Sequence, residues 1–173
     1  MIEIKRYFQQ MTTEFKVKLR LVEKKSGEVV SYKQDGERFG QAVTVKLTTD
    51  TEYEISVSTR PAIIIERLMI NGESQTLLDH IAGGNRDDSD SKTYIIHYST
   101  IGYDVSKGGS RKNIPFTLEF QDGKTMKTSL QCKLYRTGEK SHSHWGQTLS
   151  AIDIDCKAEE GRSYITVTRE KYL

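Results

Sequence analysis

From Phe15 onward the chain alternates with a period of two: Phe15, Val17, Leu19 and Leu21 hold one phase, and Lys16, Lys18 and Arg20 fill the other. In an extended chain successive side chains point to opposite faces, so this spacing predicts a strand with one side on a core and one in water. The pattern returns at Val43, Val45 and Leu47, at Tyr53, Ile55 and Val57, and at Phe116, Leu118 and Phe120. It recurs at Leu130, Cys132 and Leu134, and again at Ile152, Ile154 and Cys156. Residues 62–70, 93–99 and 163–168 are rich in Ile, Tyr, Thr and Val and read as further strands. No segment carries a helical face longer than two turns.

Turn dipeptides punctuate these runs. Asp35-Gly36, Asn71-Gly72 and Asp122-Gly123 tolerate positive φ, and Asp122-Gly123 sits between two alternating runs as a hairpin signal. About nine or ten short strands with turns roughly every 8–12 residues predict an all-β fold: an antiparallel β-sandwich or flattened β-barrel. A parallel α/β sheet would need crossover helices, for which the sequence has no candidate. At 173 residues one domain is expected, with residues 1–13 as an N-terminal extension and 14–173 as the sandwich.

Charge narrows the function. Lys and Arg number 26 against 24 Asp and Glu, a net +2, which is too even for a protein that coats nucleic-acid phosphates. No apolar run approaches the roughly 20 residues of a transmembrane helix. The N-terminal residues 1–10 carry charges where a secretory leader needs an apolar stretch, which predicts a reducing, cytoplasmic location. Two loops are polar: residues 83–92 are acidic, and residues 106–112, with Lys107, Arg111 and Lys112, are basic and suited to steering an acidic partner.

Catalytic and metal chemistry find little support. There is no nucleophile elbow, no P-loop and no calcium loop around Asp87, Asp88 and Asp90, so neither an enzyme nor a cofactor is expected. His142-Ser143-His144 could offer two imidazoles, but a structural zinc site needs two more ligands, and no metal is expected. Cys132 and Cys156 share the phase of apolar neighbours and read as small buried hydrophobes; a disulfide would require adjacent strands. Trp145, the sole tryptophan, is either a core anchor at a strand entrance or an exposed binding aromatic.

Two blocks of residues resemble a known family. Tyr32-Lys33-x-Asp35-Gly36-x-Arg38-Phe39-Gly40-Gln41, followed by the strand through Leu47, is similar to the signature of the cannabinoid receptor 1-interacting protein family. A second match runs through Gln131-x-Lys133-x-Tyr135, His142-x-x-Trp145-Gly146 and Asp153-Ile154-Asp155-Cys156-Lys157. The resemblance implies a sandwich similar to the lipid-binding domain of Rho GDP-dissociation inhibitor. It also implies a non-enzymatic adaptor, held at the plasma membrane through its partner, that binds a receptor's cytoplasmic tail and modulates signalling. Some relatives end in a PDZ-like Ser-x-Leu, where Lys171 here takes the hydroxyl position.

The residues also have a plain physical reading: Asp35-Gly36 makes a tight turn, Phe39 plugs the sandwich end, and Arg38 holds the turn through Asp35 or meets an acidic partner. Candidate partner contacts are therefore Tyr32, Lys33, Arg38, Phe39, Lys107, Arg111, Lys112, His142 and Trp145. A rival function is a carrier that holds a lipid or lipidated peptide between the sheets, with Phe116, Leu118, Phe120, Leu130, Cys132 and Leu134 lining the cavity. A third is a structural subunit of a cytoskeletal assembly.

Overall fold

A computed structural model describes residues 12–79, 90–139, 143 and 145–173. Among them the chain forms β1 (Thr12–Glu23), β2 (Ser31–Gln34), β3 (Val43–Thr48), β4 (Glu52–Arg60) and β5 (Ile65–Ile70). Next come β6 (Glu73–Gln75), β7 (Leu78–Asp79), β8 (Lys92–Ser99) and β9 (Lys112–Phe120). The last four are β10 (Thr125–Tyr135), β11 (Gln147–Thr148), β12 (Ile152–Glu159) and β13 (Ile165–Tyr172). One sheet runs β13-β12-β1-β4-β8-β7 and the other β11-β2-β3-β10-β9-β5-β6. Both keep free edges, so the molecule is a sandwich and the barrel alternative falls.

Alternation explains the sandwich directly. Along β1, Phe15, Val17, Leu19 and Leu21 are buried while Lys16, Lys18 and Arg20 face water. Antiparallel register sets Leu19 opposite Val57 of β4 and Val17 opposite Ile154 of β12, so one sheet face becomes continuously apolar. The facing sheet contributes Val45, Leu47, Ile114, Phe116, Leu118 and Leu134. Phe15 and Phe120 meet across the gap edge to face, with ring centroids 5.5 Å apart. Each fully buried Leu or Phe contributes about 1.5–3 kcal/mol.

Three expectations change. Thirteen strands replace about nine or ten, because β2, β6, β7 and β11 are two to four residues long, too short to display alternation. The sheets are not wholly antiparallel: β3 and β10 run parallel, with Cys132 opposite Val45 and Leu134 opposite Leu47. No helix is needed for this crossover, because the chain between them passes through the other sheet and returns along β5 and β9. β1 begins at Thr12, inside the stretch assigned to the extension; residues 1–11 lie outside the described part.

The six residues expected to line a cavity, Phe116, Leu118, Phe120, Leu130, Cys132 and Leu134, are each at most 2 % exposed. Exposure that low means they are packed in the gap between the sheets. Open clefts of about 320 to 480 Å³ lie at the surface, and of the six only Phe120 borders one. Cys132 and Cys156 belong to β10 and β12, in opposite sheets, and both are free thiols. Cys156 packs on Met126, Sγ to Sδ 3.3 Å. No helix among the described residues is long and apolar enough to cross a membrane.

Candidate functional site

The first signature block folds into the loop joining β2 to β3. Gly36 takes φ +65° and opens a short 3-10 turn over Gly36–Arg38, so Asp35-Gly36 starts a loop of residues 35–42 instead of a tight hairpin. Asp35 turns inward, its side chain 4 % exposed, and meets Arg111 Nη2 at 3.2 Å; the Arg111 side chain is 7 % exposed. Lys33 Nζ lies 3.3 Å from the other carboxylate oxygen. Thr44 Oγ1 donates to Asp35 and accepts from Arg111 Nε at 3.1 Å. Burial alone would raise the Asp35 carboxyl pKa. The Thr44 hydrogen bond and the Arg111 and Lys33 charges outweigh it and hold the carboxyl below its ordinary value.

The same loop is tied to β10 by a pair of amides. Gln41 N donates to Gln131 Oε1 at 2.9 Å, and Gln131 Nε2 returns a bond to Gln41 O at 2.9 Å. Gln41 Nε2 reaches Ser129 O at 3.1 Å. Gln131 is buried, and both ends of its amide are satisfied, which burial demands. Phe39 is half-buried beneath the guanidinium of Arg111, 4.1 Å from ring centroid to Cζ, a cation–π contact. Arg111 also donates to the carbonyls of Gly109 and Ser110 at 3.2 Å, so one side chain binds the basic loop to the signature loop.

Beside this latch the outer face of β2, β3 and β10 is electropositive. Parallel register sets Lys133 opposite Lys46, and their ammonium groups lie 5.3 and 5.8 Å from the Tyr135 ring. Lys46 is 8 % exposed and donates to the carbonyl of Trp145. Desolvation, then the neighbouring Lys33 and Lys133 charges, lower the Lys46 pKa. Desolvation, Arg111 and Lys33 lower that of Lys133. In both cases Asp35 pulls the other way.

The second block reaches the same face. At φ +108°, Gly146 lies so close to β2 that a Cβ there would stand 2.6 Å from the Tyr32 carbonyl oxygen. Only glycine fits this approach, which lets β11 pair with β2 at Gln147 and Tyr32. Trp145, one residue earlier, is 60 % exposed. Of its two readings, the core anchor is overturned by that exposure.

The nominated residues divide. Lys33, Arg38, Phe39, Arg111 and Trp145 gather at or around this face. Arg38 is exposed and does not hold the turn; that task falls to Arg111, and Arg38 stands 5.8 Å from the Phe39 ring. Phe39 packs under Arg111 and does not plug the sandwich end. Tyr32 points into the core, its ring centroid 6.2 Å from that of Tyr172. Lys107 is exposed on its loop, and Lys112 is turned to the Tyr103 ring at 4.8 Å. His142 and His144 lie outside the described residues, as do Asp87 and Asp88.

Lys46, Thr44 and Gln131 were not singled out as site residues. Lys46 and Thr44 read as the solvent phase of a strand, and only the non-local pairing of β3 with β10 brings them to Gln131 and Lys133. Leu173 at the chain's last position donates its N–H to Ala151 O at 2.9 Å, and its carbonyl accepts from Ser150 N at 2.7 Å.

The first block and the Gln131–Tyr135 and Trp145-Gly146 parts of the second thus share one surface around β2, β3 and β10, while Asp153–Lys157 lies on β12 in the other sheet. The family described as CB1 cannabinoid receptor-interacting protein 1 matches residues 11–172. The protein of that name from Homo sapiens is 35 % identical over 145 residues, covering 83 % of this chain and 87 % of the relative. Those from Bos taurus and Mus musculus are 34 % identical over the same shares. The chain belongs to the CB1 cannabinoid receptor-interacting protein 1 family.

Proposed function

We propose that this protein is a non-enzymatic adaptor that binds the cytoplasmic C-terminal tail of a G-protein-coupled receptor or similar membrane protein and modulates its signalling. The observation that carries this reading is the meeting of the first family block with Gln131, Lys133 and Tyr135 on one face, where Lys46 donates to the carbonyl of a 60 % exposed tryptophan. An exposed aromatic flanked by fixed charge is the composition of a binding hot spot, and it contributes little to a core. The names of the relatives supply the partner class. Such a partner sets the location: the cytoplasm, at the inner face of the plasma membrane while the receptor is engaged.

An extended tail can lie across β2, β3 and β10, its backbone near the exposed end of β11 and its side chains against Trp145 and the lysines. The test is isothermal titration of the full chain with synthetic receptor C-terminal tails. Saturable one-to-one binding that Trp145→Ala removes is expected. Failure of every tail to bind the wild-type chain contradicts the reading.

A further inference from the structure

Several cations and acids among the described residues are matched one to one: Lys16 with Asp155, Lys18 with Asp153, Lys24 with Glu52, Lys92 with Asp79, and Arg67 with Glu119. Lys157 and Arg162 share Glu159, whereas the face of β2, β3 and β10 brings Lys33, Lys46, Arg111 and Lys133 around Asp35. Lys33 and Arg111 share the single carboxylate of Asp35, and Lys133 lies opposite Lys46 across the parallel pairing of β3 with β10. Lys46 adds a further ammonium beneath them, held by the Trp145 carbonyl. Like charges gathered on a partly desolvated surface oppose folding, and a strand position could carry Thr or Gln instead at no electrostatic cost. An arrangement that works against the folded state, and that a bound anion relieves, is the physical mark of an anion site.

Extending the adaptor reading, and resting on it, we propose that this face recognises an acidic peptide segment, with its carboxylates between Lys33 and Lys133 and an adjoining apolar residue against Trp145. Lys33 and Lys133 are the contacting groups, because both are partly exposed. Lys46, 8 % exposed, acts from behind: a charge fixed in a low-dielectric layer projects its field outward without having to touch the ligand. Arg111 is committed to Asp35 and Phe39 and holds the loop that frames the site. Lysines offer rotatable point charges and no rigid fork, which suits carboxylates spaced irregularly along a chain. Tyr135, whose ring lies beneath two ammonium groups, keeps Lys46 and Lys133 in position.

The test titrates the full chain with three synthetic peptides: Glu-Asp-Glu-Leu-Phe, its amide twin Gln-Asn-Gln-Leu-Phe, and the twin carrying one phosphoserine. Binding of the acidic peptide about tenfold or more tighter than the amide twin, weakening as salt rises, is expected. Lys33→Gln and Lys133→Gln should each lower affinity about tenfold, Lys133→Gln without lowering Tm, and Lys133→Arg should keep most of the wild-type affinity. Equal binding of the acidic and amide peptides, or binding of the phosphoserine peptide alone, overturns the proposal. A receptor tail bound equally by wild type and by the Lys33→Gln, Lys133→Gln double variant sinks this site and leaves the adaptor reading standing. An acidic peptide bound while no receptor tail is captured does the reverse.

Discussion

Asp35 and Arg111 lie 76 residues apart in the chain, yet carboxylate and guanidinium close to 3.2 Å with both side chains almost fully covered. The pair joins the signature loop to the basic loop and so fixes the frame of the charged face. Arg111 is thereby removed from the set of charges a partner can reach.

Removing one partner of a covered ion pair strands the other. Asp35→Asn or Arg111→Met should each destabilise the fold by about 3 kcal/mol. The double variant Asp35→Asn, Arg111→Met should recover most of that loss, since neither side chain then leaves a stranded charge. Urea unfolding of the four proteins, compared at constant m-value, reads the cycle. Additive losses in the double variant would show that the two residues act separately.

The Asp35 carboxyl sits below its ordinary value, which gives the pair a sign in pH. Between the lowered folded value and about 3.9 in the unfolded chain, the unfolded state binds the extra proton, so stability rises with pH across that window. The contribution is complete above the unfolded value and lost as pH falls through the folded one. The stability gap between wild type and Asp35→Asn should therefore narrow as pH falls below the unfolded value of about 3.9. A gap that widens as pH falls contradicts the assignment.

Gly146 combines φ +108° with a backbone approach of 2.6 Å at the position a Cβ would take. Gly146→Ala should cost about 2–4 kcal/mol, from left-handed strain and displacement of the Tyr32 carbonyl. A Tm drop of several degrees by calorimetry, with loss of tail binding, is expected. Gly40→Ala, with open space at its Cβ, is the control that should leave Tm within about 2 °C.

Burial pushes the Cys132 and Cys156 thiols up to about 12, so neither forms thiolate near neutral pH in the folded protein. Thiol-blocking reagents at pH 8 should modify neither cysteine until denaturant is added. Rapid native-state labelling of either one would show that the sandwich opens there.

The architecture was legible because a strand's environment is local. Phe15, Val17, Leu19 and Leu21 announce their burial in their own spacing, and Asp122-Gly123 marks its hairpin with Gly123 at φ +81°. The parallel meeting of β3 and β10 was not legible, since register between residues as far apart as Val45 and Cys132 leaves no trace in either run. Arg38, three residues from Asp35 in sequence, reads as the residue that holds the turn or meets an acidic partner; the pairing instead follows the fold and falls to Arg111. Trp145 illustrates the same limit, as nothing in its neighbours' spacing separates a core anchor from the 60 % exposed side chain observed. The alternating residues of β9 and β10 gave a core face, but alternation cannot distinguish a filled core from a hollow one, and here it is filled.

Trp145 is the sole tryptophan, so its fluorescence reports on the proposed binding face without a label. The most direct measurement is a titration of the full chain with a synthetic receptor C-terminal tail, following indole emission at low and moderate salt. A saturable blue shift that weakens with salt and is lost in Lys133→Gln is the predicted result. Tail binding seen by calorimetry with no change in Trp145 emission, or undiminished in Lys133→Gln, would place the partner elsewhere and contradict the account.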